Sequence, residues 1–192
     1  MLPASEKTEN DNMIQPFDEL KWIMDFFGNG VDLKTEGIDR VRNFSLLWNL
    51  FETYACDKRA DINSISNAVD TINAREPITN ELISAHIDYF SNRYFNLDGT
   101  PKEKFEGLKF RNGQTDHVAK QQVTLTLTKV QNNPVENLKS LLYILYRFRN
   151  NLFHGEKEVI RLNAQIDNFI IANDILTKVL TIMKRQYLIV DN

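Results

Sequence analysis

A chain of 192 residues with 42% hydrophobic and 26% charged side chains has the composition of an ordinary globular protein and the length of a single domain. Seven glycines and five prolines are few, which favours long helices joined by few turns over a many-stranded sandwich. The net charge of −3 argues against a general nucleic-acid coat protein, because phosphate contacts need local positive charge.

The charge is spread unevenly along the chain. Residues 1–100 carry 9 basic and 17 acidic side chains, a balance of −8, whereas residues 101–192 carry 14 basic and 9 acidic, a balance of +5. A polyanion would therefore bind the C-terminal half.

The single cysteine, Cys56, excludes an internal disulfide and a cysteine-rich zinc site, and it suits a reducing compartment. Residues 1–7 lack the apolar core of a signal peptide, and no apolar run approaches the roughly 20 residues that span a bilayer. We therefore expect a cytoplasmic protein without a membrane partner.

Helical periodicity dominates the N-terminal third. Residues 1–15 are polar and acidic and are predicted to form a flexible tail, with residues 16–192 forming a single helical domain. A first helix is predicted to begin at Pro16 and to end at Gly28-Asn29-Gly30. The clearest helix follows, with one apolar face formed by Ile38, Val41, Phe44, Leu47, Trp48, Phe51 and Tyr54.

The middle of the chain is less regular. A third helix is predicted from about Asp61 to just before Pro77, and a fourth ends at the break Asp98-Gly99-Thr100-Pro101. Residues 102–117 are mostly polar and are predicted as a long loop. Residues 123–128 alternate like a strand, but Val123, Leu127 and Val130 also fit a helix. Because a lone strand cannot satisfy its own hydrogen bonds, helix is the favoured prediction.

Two strongly apolar helices close the chain. One is predicted to begin at Asn132-Asn133-Pro134 and to end near His154-Gly155, and the other spans about residues 163–186. The predicted fold class is an all-α bundle with an elaborated middle region.

The end of the first of these two helices carries an arginine five residues before a histidine. Histidine is the side chain whose unperturbed pKa lies near neutrality, so His154 could take or deliver a proton, whereas Arg149 stays charged and presents a planar fork to phosphate oxygens. Together they supply what in-line RNA cleavage needs without a metal: help in deprotonating the ribose 2′-hydroxyl, and stabilisation of charge on the phosphorus oxygens. The alternative is structural, with Arg149 forming an ion pair at the bundle end and His154 an ordinary helix-end residue.

The spacing has a geometric consequence. Five residues turn through about 500° on an ideal helix, which leaves Arg149 and His154 about 140° apart. The two side chains can meet if the helix ends just before His154, as Gly155 permits, or if two copies pool their residues across a dimer. Asn150 and Asn151 are good local hydrogen-bonders, as expected where a helix ends at a site.

The nine residues 149–157, Arg-Asn-Asn-Leu-Phe-His-Gly-Glu-Lys, closely resemble the signature of the HEPN superfamily, especially the Apea-like HEPN proteins of prokaryotes. In that signature an arginine is followed by a polar residue, three further residues and a histidine. Residues 44–52, Phe-Ser-Leu-Leu-Trp-Asn-Leu-Phe-Glu, are similar to the N-terminal helix of such proteins. The resemblance is close over 134–160, recognisable over 38–55 and thin over 56–115.

This resemblance implies a HEPN-like bundle of four or five core helices that is usually a homodimer. It also implies a metal-independent endoribonuclease that cuts by 2′-hydroxyl attack, often as a toxin or phage-defence effector. The implied partners are an RNA substrate and a second copy, and any antitoxin or nucleotidyltransferase partner would be a separate chain. No cofactor is implied.

The resemblance also assigns roles to residues. Arg149 would stabilise the phosphorane, His154 would serve as general acid or base, and Asn150 would orient the histidine or the substrate. Glu52 is the acidic residue expected to hold Arg149 from behind, with Asn151 in a supporting position.

Three further basic residues, Arg147, Lys157 and Arg161, are candidate RNA contacts, and Arg147 could instead be a surface charge. His86 and His117 have no acidic or cysteine neighbours at ligand spacing, so no metal site is predicted. A non-catalytic HEPN module that binds RNA, a nucleotide or a partner protein is the main alternative function, and a helical adaptor is a third.

Overall fold

The computed structural model describes residues 17–27, 34–153 and 164–186, and within these ranges the chain is all-α, with eight helices and no strand. The predicted fold class is confirmed. The helices are α1 Glu19–Phe27, α2 Thr35–Ala55, α3 Ile62–Arg75, α4 Asn80–Tyr94, α5 Glu103–Glu106, α6 Gln114–Leu127, α7 Pro134–Phe153 and α8 Ile166–Arg185.

The chain divides into two compact units, Met1–Asp32 and Leu33–Asn192. The division follows Asp32, whereas the sequence suggested a boundary after residue 15. Helix α1 belongs to the first unit and α2–α8 to the second. None of the helices in the described ranges is long and apolar enough to cross a membrane.

Side-chain caps fix two of the helix starts that the sequence predicted. The Asp61 carboxylate accepts a hydrogen bond from the Ser64 backbone N–H, and the Ser64 hydroxyl accepts one from the Asp61 N–H, both at 2.8 Å. This reciprocal box starts α3, which ends at Arg75, before Pro77. Helix α7 begins at Pro134, as predicted, with the Asn133 side chain accepting the Val135 N–H at 2.9 Å.

The stretch that alternates like a strand lies in α6 as far as Leu127, so the favoured helix prediction is confirmed there. Its threonines suit the helix because they return hydrogen bonds to the preceding turn. Thr124 donates to the Lys120 carbonyl at 2.9 Å and Thr128 to the Thr124 carbonyl at 2.7 Å. Thr126 instead faces the core and bonds the Ser140 hydroxyl of α7 at 2.8 Å.

The predicted long loop over 102–117 is wrong. It contains the short helix α5 and the first turn of α6. Two apolar side chains, Phe105 and Leu108, are each only 2% exposed and anchor this mostly polar stretch to the bundle. The Phe105 ring lies 4.8 Å from that of Phe95 at the end of α4, so the segment packs against the bundle despite its polar composition.

Helix α7 is the centre of the second unit. Helices α3, α4 and α6 pack against it, and α2 pairs with α8. Every residue from Asn137 to Asn151 is buried except Tyr146 and Arg149. The end of α7 is therefore enclosed on most sides, with one cation left partly open to solvent.

Aromatic rings fix the C-terminal half of α7 in position. Phe148 packs edge-on against Phe90 of α4 at 5.9 Å and lies 6.1 Å from Phe169 of α8. Trp48 of α2 stacks on Tyr146 at 6.1 Å. Truncating a buried ring such as Phe148 to alanine costs about 3–5 kcal/mol, so this packing is a large part of what holds the end of α7 rigid.

Candidate functional site

Arg149 of α7 lies beside Glu52 of α2. Its Nη2 is 3.7 Å from the Glu52 Oε2, with the side chains 32% and 17% exposed respectively. The other Glu52 oxygen accepts the backbone N–H of Ala60 at 2.9 Å, which fixes the carboxylate against the α2–α3 connection. The structure thus brings together the arginine and the acid that the sequence analysis paired.

Asn150 completes the immediate surroundings of Arg149. The Arg149 Nη1 donates to the Asn150 Oδ1 at 3.2 Å, and Asn150 is 3% exposed. Its Nδ2 is buried and has no hydrogen-bond partner within the described ranges. A buried donor left unsatisfied costs about 1–3 kcal/mol, so this amide is ready to bind an acceptor brought by a ligand or by another part of the chain.

Asn151 lies on a different side of α7 and supports a different segment. Its Nδ2 donates to the backbone carbonyls of Gly107 and Leu108 at 3.1 and 3.3 Å. Two helical residues turn through about 200°, which separates Asn151 from the Arg149 face. Asn151 therefore supports the connection between α5 and α6 rather than the arginine itself.

Arg147 is not placed to contact RNA, nor is it a surface charge, because it is only 3% exposed. Its Nε donates to the Leu108 carbonyl at 3.0 Å, its Nη2 donates to the Lys109 carbonyl, and its Nη1 lies 3.4 Å from Asp116 Oδ1. Burial lowers the pKa of its guanidinium, and the neighbouring Asp116 carboxylate acts against that shift. Arg147 is a structural anchor that binds the segment from Leu108 to Asp116 to α7.

Three of the predicted site residues, His154, Lys157 and Arg161, lie outside the described residues. Helix α7 spans Pro134–Phe153, and the described chain resumes at Ala164. The meeting of Arg149 with His154 that the sequence predicts stays a prediction.

A polar groove near this end of the bundle was not predicted from the sequence. It encloses a cavity of about 500 Å³ and is lined by Tyr89, Asn92, Arg93, Lys102, Glu103, Lys104 and Asp167. These residues come from α4, from α5 with its N-cap, and from α8, so no local sequence pattern predicts that they form a groove. The only signal in the sequence is the pair of lysines at 102 and 104 within the predicted loop.

Within the described ranges, no cluster of three or more histidine, cysteine, aspartate or glutamate side chains could hold a metal ion. His86 of α4 is instead paired with Asp174 of α8, with its Nε2 2.6 Å from the carboxylate. Lys178 donates to the same carboxylate oxygen at 2.6 Å. Partial burial acts to raise the pKa of Asp174, but its hydrogen bonds with Lys178 and His86 hold that pKa below its ordinary value.

No family model, curated protein or solved structure matches the chain. The resemblance to the HEPN superfamily therefore rests on the residues at 44–52 and 149–157, and the function drawn from it is a proposal.

Proposed function

We propose that this chain is a metal-independent endoribonuclease that cuts RNA by attack of a ribose 2′-hydroxyl at Arg149 and His154. The observation that carries the proposal is the setting of Arg149. It is the one partly exposed cation in the buried stretch of α7, and it is held in place by Glu52 and Asn150. We further propose that the protein acts in the cytoplasm as a toxin or phage-defence effector, as a homodimer, with any antitoxin or nucleotidyltransferase partner on a separate chain.

The chemistry follows from the side chains. A base removes the 2′-hydroxyl proton, the 2′-oxygen bonds to phosphorus, and the bond from phosphorus to the 5′-oxygen breaks. The leaving 5′-oxygen takes up a proton, which gives a 2′,3′-cyclic phosphate and a 5′-hydroxyl end. Arg149 would stabilise the negative charge on the non-bridging oxygens, and His154 would transfer a proton as general acid or base. The Asn150 Nδ2, which has no hydrogen-bond partner among the described residues, could donate to a phosphate oxygen or an imidazole nitrogen.

The test is cleavage of labelled transfer and messenger RNA by purified protein with a chelator present. We expect cutting to survive chelation and to leave 2′,3′-cyclic phosphate ends. Arg149→Ala and His154→Ala should each slow it by about 10²–10⁴-fold, the usual range for a proton-transfer group and for a charge-stabilising donor. Arg42→Ala is the matched control, because Arg42 is an exposed arginine paired with Asp39 on α2.

Three results would count against the proposal. Loss of cutting on chelation would mean that a metal is needed. Unchanged cutting in both site variants would place the active site elsewhere. Absence of cutting by the wild-type protein, together with tight binding of RNA, would favour the alternative function.

That alternative is a non-catalytic HEPN module, and the observation in its favour is that Arg149 already has partners. The Glu52 carboxylate and the Asn150 oxygen engage both of its terminal nitrogens. An arginine satisfied in this way can bind an anion without chemistry following. If the module only binds RNA, Arg149→Ala should lower the affinity for a non-cleavable RNA, and neither the wild-type protein nor the variant should cut.

A further inference from the structure

The groove lined by α4, α5 and α8 continues toward the end of α7. A second cavity, of about 250 Å³, shares Arg93 and Lys104 with the groove and is also lined by Gly107, Leu108 and Phe148. Gly107 and Leu108 are the residues whose carbonyls the Asn151 amide binds. A ligand extending along the groove would therefore reach the connection between α5 and α6, on the side of α7 away from Arg149.

The cations of this groove are only partly satisfied by protein partners, and Arg93 also interacts with the Tyr89 and Tyr94 hydroxyls. The Arg93 Nη2 has a long hydrogen bond of 3.4 Å to Gln165, and its buried Nε has no hydrogen-bond partner within the described ranges. The Lys102 Nζ donates to the Asn92 carbonyl at 2.6 Å, and Lys104 is exposed. These three cations outnumber the two carboxylates that line the groove, Glu103 and Asp167.

We propose that this groove binds the sugar-phosphate backbone of an RNA strand at a distance from the phosphate that is cut, across α7 from Arg149. The identity of the polyanion rests on the proposed function. Arg93 and Lys104 each contact one phosphate, and the partly exposed ring of Tyr89 offers a face on which a base can stack. The groove sets how long a substrate must be, whereas Arg149 acts on the bond that breaks.

Binding is tested with a labelled, fully 2′-O-methylated RNA of about 12 nucleotides, which cannot be cut because its 2′-oxygens are blocked. Fluorescence anisotropy gives the Kd of the wild-type protein, Arg93→Gln and Lys104→Ala over a salt series. Loss of one phosphate contact should make the slope of log affinity against log salt less steep by about 0.7, which corresponds to about eightfold weaker binding near 50 mM salt and about threefold near 200 mM. Arg42→Gln, which removes an exposed positive charge outside the groove, should bind within about twofold of wild type at the same salt.

Cleavage of long and short substrates separates the two proposals. The groove variants should slow cutting of a long RNA and leave a dinucleotide unaffected, whereas Arg149→Ala should slow both. Groove-dependent binding without any cutting would overturn the proposed function and leave the groove proposal standing.

The groove proposal fails on any of four results. These are wild-type affinity in both Arg93→Gln and Lys104→Ala, equal weakening in Arg42→Gln, tighter binding of the matched DNA than of RNA, and no RNA binding by the wild-type protein.

Discussion

Glu52 uses its two carboxylate oxygens on two different elements. One lies 3.7 Å from Arg149 and the other accepts the Ala60 N–H at 2.9 Å. A glutamine at this position keeps an acceptor for Ala60 but removes the charge that faces the guanidinium. The two tasks of the side chain can therefore be separated by one substitution.

We predict that Glu52→Gln slows RNA cleavage about tenfold in kcat with little change in KM, since tenfold corresponds to about 1.4 kcal/mol of transition-state stabilisation. The free energy of unfolding should change by less than about 1 kcal/mol, because a partly exposed ion pair contributes little to stability. Steady-state kinetics and urea unfolding measure the two quantities.

Glu36→Gln is the control for this substitution, because Glu36 pairs with Arg40 on the exposed face of the same helix. It should leave both measurements unchanged. Wild-type kcat in Glu52→Gln, with Arg149→Ala inactive, would show that Glu52 does not position the arginine.

At the scale of elements, Arg147 of α7 holds the connection between α5 and α6 in place. Its guanidinium binds the Leu108 and Lys109 carbonyls and faces Asp116, and it also lies 5.8 Å from the centroid of the Phe110 ring. A lysine carries one nitrogen where the arginine carries three and cannot reach all of these partners together.

We predict that Arg147→Lys lowers the free energy of unfolding by about 2–3 kcal/mol, because it leaves buried carbonyls without donors. Urea unfolding measures this change. The exposed counterpart Arg42→Lys should stay within about 0.5 kcal/mol of wild type. Under conditions where both variants are folded, the salt dependence of RNA binding should be unchanged. Full stability with weakened RNA binding in Arg147→Lys would restore the RNA-contact interpretation.

The sequence predicted most helices correctly because their apolar spacing and caps are local. Asp61, Asn133 and Pro134 mark helix starts through residues only two or three positions away. The prediction of a loop over 102–117 was wrong because this segment is ordered by contacts with residues far away in the sequence. Arg147 meets Leu108 across 39 positions of sequence, and nothing in the local pattern of either residue specifies that contact.

The candidate site likewise combines a local contact, which the sequence predicts, with long-range contacts, which it does not. The contact of Arg149 with Asn150 is local, and the approach of Glu52 was anticipated only through a family resemblance. The groove could not be anticipated at all, since Arg93 lies in the acidic half of the chain, where counting charges by halves directs attention away from it. Charge becomes informative only when the fold brings Arg93 beside Lys102 and Lys104.

At the scale of the whole second unit, the buried thiol of Cys56 links the free energy of unfolding to pH. It caps the C-terminal end of α2 and is 4% exposed, and burial raises its pKa to about 11, with the nearby Glu52 and Asp61 carboxylates adding to the shift against a Ser64 hydrogen bond. The folded protein holds the thiol proton more tightly than the unfolded chain, whose thiol titrates near 9.0. The contribution of this group to stability is therefore fully present below about pH 9 and is lost as the pH rises toward 11.

We predict that the free energy of unfolding of the wild-type protein falls between about pH 8.5 and pH 10.5 by up to about 2 kcal/mol more than that of Cys56→Ala. Urea unfolding with a reductant present gives both values at both pH values. Taking the difference between the proteins removes the contribution of the tyrosines and lysines that titrate in the same range. Parallel pH dependence in the two proteins would mean that the thiol does not control this loss.

Helix α7 is constrained twice, once as the centre of the core and once as the carrier of Arg149 and Asn150. Thirteen of its fifteen residues from Asn137 to Asn151 are buried, so few substitutions there can be neutral for folding, and the partly exposed Arg149 is needed for the proposed chemistry. Mutational drift should consequently be slowest along this helix and fastest on the exposed faces around it. Distant relatives of this chain would then share a short stretch of some twenty residues and differ almost everywhere else. Sequence identity averaged over the whole chain would stay low in such relatives.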